Sequence, residues 1–221
     1  VHPSGMSEPL HVFLVDDHPF VRLGLRTAIE QHPDFTVVGE ADSCAAAIAR
    51  LPALRPDLLV LDLNLGDGNG WTLIERLRDA KALPPTLVLS VCDESLYAER
   101  LLHAGARGYL MKNAPSERIV SALREIHSGQ LVVSPAVASR FLRNRLGEEP
   151  EPEKAPTGNQ LSDQELRVFD LLAEGRRNCE IAEHLGVSEK TISTVKTRLM
   201  KKLGVRTTAQ LLSLARPKPP V

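Results

Sequence analysis

The chain has 221 residues, 43% of them hydrophobic and 25% charged, with a formal net charge of −1; this is ordinary globular composition, long enough for one large domain or two smaller ones. No apolar run approaches the length of a bilayer-spanning helix, because the longest, around Leu58 to Leu65, is interrupted by Asp62. The three cysteines, Cys44, Cys92 and Cys179, form no CxxC pair and no metal-ligand spacing, which reads as buried or half-buried thiols in a reducing cytoplasm.

Charge is unevenly distributed. Residues 157–221 hold eleven Lys and Arg against seven Asp and Glu, whereas residues 1–156 hold sixteen against twenty-one. An acidic front and a basic back predict two modules with different partners. Val1–Gly5 precede Met6 and are left out of the fold reading, and the opening VHPSGMSEPL lacks the basic-then-apolar order of a secretory signal.

Further along, short apolar runs alternate with amphipathic segments. The runs are HVFLVD (11–16), FTVVGE (35–40), DLLVLD (57–62), TLVLS (86–90) and RGYLM (107–111). Helical patterns follow them at about 19–31, 43–53, 69–81, 94–104 and 115–128. Five strands each followed by a helix predict an α/β fold, a doubly wound five-stranded parallel sheet with helices on both faces. SPAVASRFLRNRL (134–146) reads as a connecting helix with Ser134 as N-cap and Pro135 in the first turn. GEEPEPEKAPTGN (147–159) has no large apolar residue to bury and reads as a linker. The predicted domains are therefore 8–130, a connecting segment 131–159, and an all-α unit 160–216.

In an open parallel sheet, ligands bind beyond the carboxyl ends of the strands. Those ends carry Asp16 and Asp17 after the first strand, Asp62 at the third, Ser90 at the fourth, and Lys112 after the fifth. Any one of these alone reads as a cap or a solvated loop residue. Gathered at one edge, three carboxylates repel unless a cation joins them, and a hard, oxygen-loving ion such as Mg²⁺ (or Mn²⁺) suits the set. One carboxylate could then act as nucleophile toward a phosphoryl group, with Lys112 neutralising its charge and Ser90 donating to an oxygen.

VDDH, LVLDLNLGDGNG, LVLS and GARGYLMK, in this order and spacing, resemble the receiver domain of bacterial two-component response regulators over essentially all of 10–130. The resemblance implies that Asp62 is the phosphoacceptor. It assigns Asp16 and Asp17 to the metal, Asp17 more directly, with Asp62 and the backbone carbonyl of Asn64 completing the set. Ser90 and Tyr109 correspond to the family's switch residues, and Lys112 to its lysine. Where the family usually has Met-Pro after the phosphoacceptor, this chain has Leu65-Gly66, which alters the loop and the expected lifetime of the phosphoryl group. His18, before Pro19, reads as the start of a helix, Tyr109 equally as a half-buried strand aromatic, and Trp71 as packing.

In the back unit, LSDQELRVFDLLAEG opens with the Ser162…Glu165 capping box and closes at Gly175. NCEIAEHLGVSEKTISTVKTRLMKKLG then gives a short helix, a turn at Leu185-Gly186-Val187 and a longer helix capped by Ser188, a helix-turn-helix. At helical spacing Ile192, Val195, Leu199 and Leu203 face the core, while Lys190, Thr194, Thr197 and Lys201 lie opposite, with Ser193 and Arg198 on the flanks. Such a face is either solvated surface or a DNA reader; the basic balance and the short hydroxyl side chains favour the latter. Residues 160–216 look like the LuxR-type domain of NarL/FixJ regulators. That resemblance implies recognition positions at Lys190, Ser193, Thr194 and Thr197, with Ser193 and Thr197 standing where some relatives have lysine. TTAQLLSLA (207–215) becomes a candidate dimer surface.

The resemblance as a whole implies a cytoplasmic, DNA-binding response regulator and no enzyme in the metabolic sense. A sensor histidine kinase, double-stranded promoter DNA, RNA polymerase and a second copy of the chain are the implied partners, with no membrane. Two rival readings remain: an Mg²⁺-dependent hydrolase of phosphate esters, and a DNA-binding protein whose front domain ignores phosphorylation.

Overall fold

The apolar runs form strands where the sequence places them. In a computed structural model, which describes residues 8–65, 68–92, 94–146 and 161–214, β1 (Leu10–Val15), β2 (Phe35–Ala41), β3 (Leu58–Asp62), β6 (Thr86–Ser90) and β7 (Gly108–Met111) form one sheet in the order β2-β1-β3-β6-β7. β1 pairs in parallel with both β2 and β3. Every residue of β3 and β6 is buried, as expected for central strands covered on both faces. The helices are α1 (Pro19–Glu30), α2 (Cys44–Leu54), α3 (Gly70–Asp79), α4 (Glu94–Ala104) and α5 (Ser116–His127). α1 packs with α5 and α2 with α3. The strand order reverses between β1 and β3, the crevice in which doubly wound folds hold ligands.

One short feature escapes periodicity. β4 (Asn64–Leu65) and β5 (Gly68–Asn69) form an antiparallel hairpin of two-residue strands after β3. Leu65 is buried in it, and Gly66 lies outside the described residues.

By contacts the chain divides into two units. The first comprises residues 1–88, 105–108 and 114–132; the second comprises 89–104, 109–113 and 133–221. The second unit contains α4 together with α6 (Pro135–Leu146), α7 (Asp163–Ala173), α8 (Asn178–Leu185), α9 (Glu189–Lys202) and α10 (Thr208–Ser213). The predicted cap of α6 forms: Ser134 Oγ accepts from the Val137 N–H at 3.4 Å. α4 packs on α6 through a 3.5 Å Arg140–Glu99 ion pair and a tilted contact between the His103 and Phe141 rings. The predicted linker at 147–159 lies outside the described residues.

α7, α8 and α9 pack on one another. The Ser162…Glu165 capping box closes in both directions, and Gly186 takes a left-handed conformation (φ 64°) at the turn between α8 and α9. The cysteine expectation needs one correction. Cys92 is buried and Cys44 half-buried, but Cys179 is exposed at the start of α8, on the face turned from the helical core. No helix among the described residues is long and apolar enough to cross a membrane.

Candidate functional site

In the first unit, β1 and β3 deliver their terminal carboxylates to one place. Asp16 and Asp62 are 1% and 2% exposed, and ligand atoms of Asp16, Asp17, His18 and Asp62 all lie within 4.8 Å of one another. Two buried carboxylates side by side repel, so this cluster calls for positive charge. Three carboxylates offer the oxygen donors that suit a small, hard divalent ion, so the residues present fit Mg²⁺.

His18 is the N-cap residue of α1 with Pro19 in the first turn, as its position before proline suggests. Its N–H donates to Asp16 Oδ1 at 2.8 Å, and its imidazole Nδ1 sits 2.7 Å from Asp17 Oδ1. The helix start thus fixes both acids of the pair. Arg22, one turn on, donates to the Asp16 carbonyl at 2.6 Å and to Glu40 at 3.1 Å, bracing the end of β1. Arg22 carries no motif of its own in the sequence; its place four residues after His18, on the same helix face, is the one signal of this role. Asn64, in β4, is half-buried and pairs with Asn69. The hairpin is held to the strand end by the Gly70 N–H, which donates to the Leu63 carbonyl at 2.8 Å.

The other predicted switch residues belong to the second unit. Ser90 is buried, and its Oγ accepts from the Cys92 N–H at 3.2 Å. The Lys112 N–H donates to the Ser90 carbonyl at 2.7 Å. Tyr109 is fully buried rather than half-buried, because its hydroxyl has a buried acceptor, the Cys92 carbonyl at 2.8 Å. Trp71, at the start of α3, is half-buried.

Cys92, which the sequence marks only as a thiol, also donates through Sγ to Asp170 Oδ1 on α7 at 2.8 Å. Tyr97 Oη lies 2.7 Å from the same oxygen and 3.1 Å from the Leu166 carbonyl. Burial pushes the Asp170 carboxyl up to about 7, against the hydrogen bonds from Cys92 and Tyr97, which favour the carboxylate. Burial likewise raises the Cys92 thiol and Tyr97 phenol well above their ordinary values.

On α9 the predicted faces hold. Ile192, Val195, Leu199 and Leu203 are buried, whereas Lys190, Ser193, Thr194, Thr197, Arg198 and Lys201 are exposed. Lys202 turns back to make a 2.7 Å ion pair with Glu165 on α7, which leaves Lys201 as the outward member of the pair of lysines. Thr194 Oγ1 donates to the Lys190 carbonyl and Thr197 Oγ1 to the Ser193 carbonyl, each at 2.9 Å.

An acidic cluster at the β1/β3 crevice and a helix-turn-helix in one chain define a response regulator. Residues 12–124 match the response regulator receiver domain and residues 159–215 the luxR family of bacterial regulatory proteins, and the chain belongs to the NarL/FixJ class of response regulators. It is 38% identical over 216 residues to the DNA-binding transcriptional activator DevR/DosR of Mycobacterium tuberculosis, covering 95% of this chain and 97% of that one. It is 33% identical over 203 residues to the nitrate/nitrite response regulator protein NarL of Escherichia coli, covering 90% and 91%. Among solved structures it resembles RcsB from Salmonella enterica serovar Typhimurium bound to promoter P1flhDC with the phosphomimetic BeF₃⁻. That match has a TM-score of 0.63 and 30% identity over 93% of this chain and 98% of that one. The chain is thus a response regulator with a receiver and a LuxR-type DNA-binding domain, from a family of DNA-binding transcription regulators.

Proposed function

We propose that Asp62 accepts a phosphoryl group from a phosphohistidine of a sensor histidine kinase, and that this controls pairing of two chains and their grip on promoter DNA. The observation that carries the reading is the clustering of buried Asp62 and Asp16 with half-buried Asp17 at the crevice where the sheet order reverses. Asp16, Asp17 and Asp62, with the Asn64 carbonyl, would hold Mg²⁺, Asp17 most directly; the ion supplies charge that offsets both the carboxylates and the incoming phosphoryl oxygens. A carboxylate oxygen of Asp62 attacks phosphorus as the P–N bond breaks, and the imidazole leaves neutral from a donor protonated at its other nitrogen. Lys112 and Ser90 are given to the phosphoryl oxygens because they stand where the receiver pattern has its lysine and its switch hydroxyl.

In this reading the receiver spans 8–130, the connection 131–159 and the DNA-binding domain 160–216. Lys190, Arg198 and Lys201 meet phosphates, and Ser193, Thr194 and Thr197 meet base edges. Two chains place their α9 helices on half-sites one DNA turn apart, with RNA polymerase as a further partner in the cytoplasm. The test is acetyl phosphate with Mg²⁺ followed by mass spectrometry of the intact chain. Wild type gains one phosphoryl group and Asp62→Ala gains none; an equal gain in both removes Asp62 from the role.

A further inference from the structure

Cys92 touches both predicted switch residues and one residue of α7. Its N–H donates to Ser90 Oγ, its carbonyl accepts from Tyr109, and its thiol donates to Asp170 Oδ1. Tyr97 of α4 adds a second contact to the same carboxyl oxygen. Cys92, Tyr97, Tyr109 and Asp170 are all buried, so each bond is sheltered from water and each broken bond would leave a polar atom unsatisfied.

We propose that Cys92 is the positioning residue that conveys the state of Ser90 and Tyr109 to Asp170, holding α7 on α4 until Asp62 is phosphorylated. This rests on the reading of Asp62 as phosphoacceptor. When Ser90 turns to a phosphoryl oxygen, Cys92 loses the acceptor of its N–H. When Tyr109 follows, the Cys92 carbonyl loses its donor. The loop that aims the thiol at Asp170 is then unrestrained. Lys112, whose charge favours the Asp170 carboxylate, is drawn to the phosphoryl group in the same event. A buried carboxyl stripped of these partners is more stable in water, so α7 leaves α4. The exposed face of α9 is not covered by this contact, since Lys190, Thr194 and Thr197 are open to solvent while α7 is held. The latch therefore acts on where the DNA-binding helices are carried and leaves their reading face open. A thiol suits such a latch because S–H is a weak donor and its bond is easily exchanged.

Two measurements on the full chain test this. The first is the alkylation rate of Cys92, read by mass spectrometry of its own peptide so that Cys44 and Cys179 do not contribute. Beryllofluoride with Mg²⁺ should raise that rate severalfold in wild type; unchanged protection in a chain that does bind the mimic overturns the proposal. The second is affinity, without any phosphodonor, for a duplex selected from a randomised pool by the full chain. Cys92→Ala should bind severalfold more tightly than wild type and respond little to beryllofluoride, while Cys92→Ser, which restores a donor, should regain the response. If Cys92→Ala fails to fold, Asp170→Leu, which removes the acceptor, should bind tighter in the same way. A folded variant of either kind that keeps the wild-type affinity and response refutes the latch. Absence of any phosphoryl adduct on Asp62 would refute the phosphoacceptor reading separately, because the donor-free comparison does not depend on it.

Discussion

Gly70 begins α3 directly beneath the end of β3, and a Cβ there would meet the Asp62 carbonyl oxygen at 2.5 Å and Leu63 Cα at 3.1 Å. Both are backbone atoms, so the strand end itself must move. Gly70→Ala should lower unfolding free energy by about 1–3 kcal/mol in a urea titration and slow phosphorylation of Asp62 by acetyl phosphate. Wild-type values for both would show that the strand end yields freely. At the other end of the chain, Thr194 and Thr197 commit their hydroxyl protons to carbonyls of their own helix. They can offer a groove only methyl groups and oxygen lone pairs, and the methyl's natural counterpart is the 5-methyl of thymine. Replacing thymine by deoxyuridine in a selected site should weaken binding by about 0.8 kcal/mol for each methyl contact, roughly fourfold. Thr194→Ser should lose its share of that discrimination. Equal affinity for both duplexes would place these methyls outside the groove.

Among elements, those set by local chemistry were legible and those set by distant contacts were not. The five long strands announce themselves as apolar runs ended by Asp, Glu, Ser or Lys, and the capping box of α7 is written in Ser162 and Glu165. The acidic cluster was legible because parallel strands carry their ends to one edge. The β4–β5 hairpin is too short to show a period, and Asp170 reads in sequence as a polar residue on an amphipathic helix. Nothing local reveals that Cys92 and Tyr97, more than seventy residues away, bury it. That burial has a pH signature. The Asp170 carboxyl titrates near 7 when held on α4, against an ordinary value of 3.8. A raised carboxyl favours the held state fully below the ordinary value, and this support is lost progressively as pH rises toward 7, levelling off above it. The groups facing it are the Cys92 thiol, the Tyr97 phenol, Glu174 and Lys112. The thermal midpoint of wild type should therefore fall relative to Asp170→Asn between about pH 5 and 7 and run parallel to it at higher pH. A constant difference across that range would mean that the carboxyl does not titrate there.

At the scale of the molecule, the acidic front and basic back seen in the composition correspond to the acidic cluster of Asp16, Asp17 and Asp62 and the cationic face of α9. Electrostatic binding to DNA weakens with salt in proportion to the phosphates neutralised. Lys190→Ala should reduce the slope of log affinity against log salt by about one; an unchanged slope would take Lys190 out of the interface. With both modules in one chain, the proposed function makes the front cluster a place to record a signal that α9 then reports.

The most direct test of that coupling is the affinity of the full chain for selected duplex DNA, with and without beryllofluoride and Mg²⁺, in wild type and in Asp62→Ala. The account predicts that the mimic tightens binding by wild type and leaves Asp62→Ala unchanged. An equal response in both proteins, or none in wild type, would contradict it.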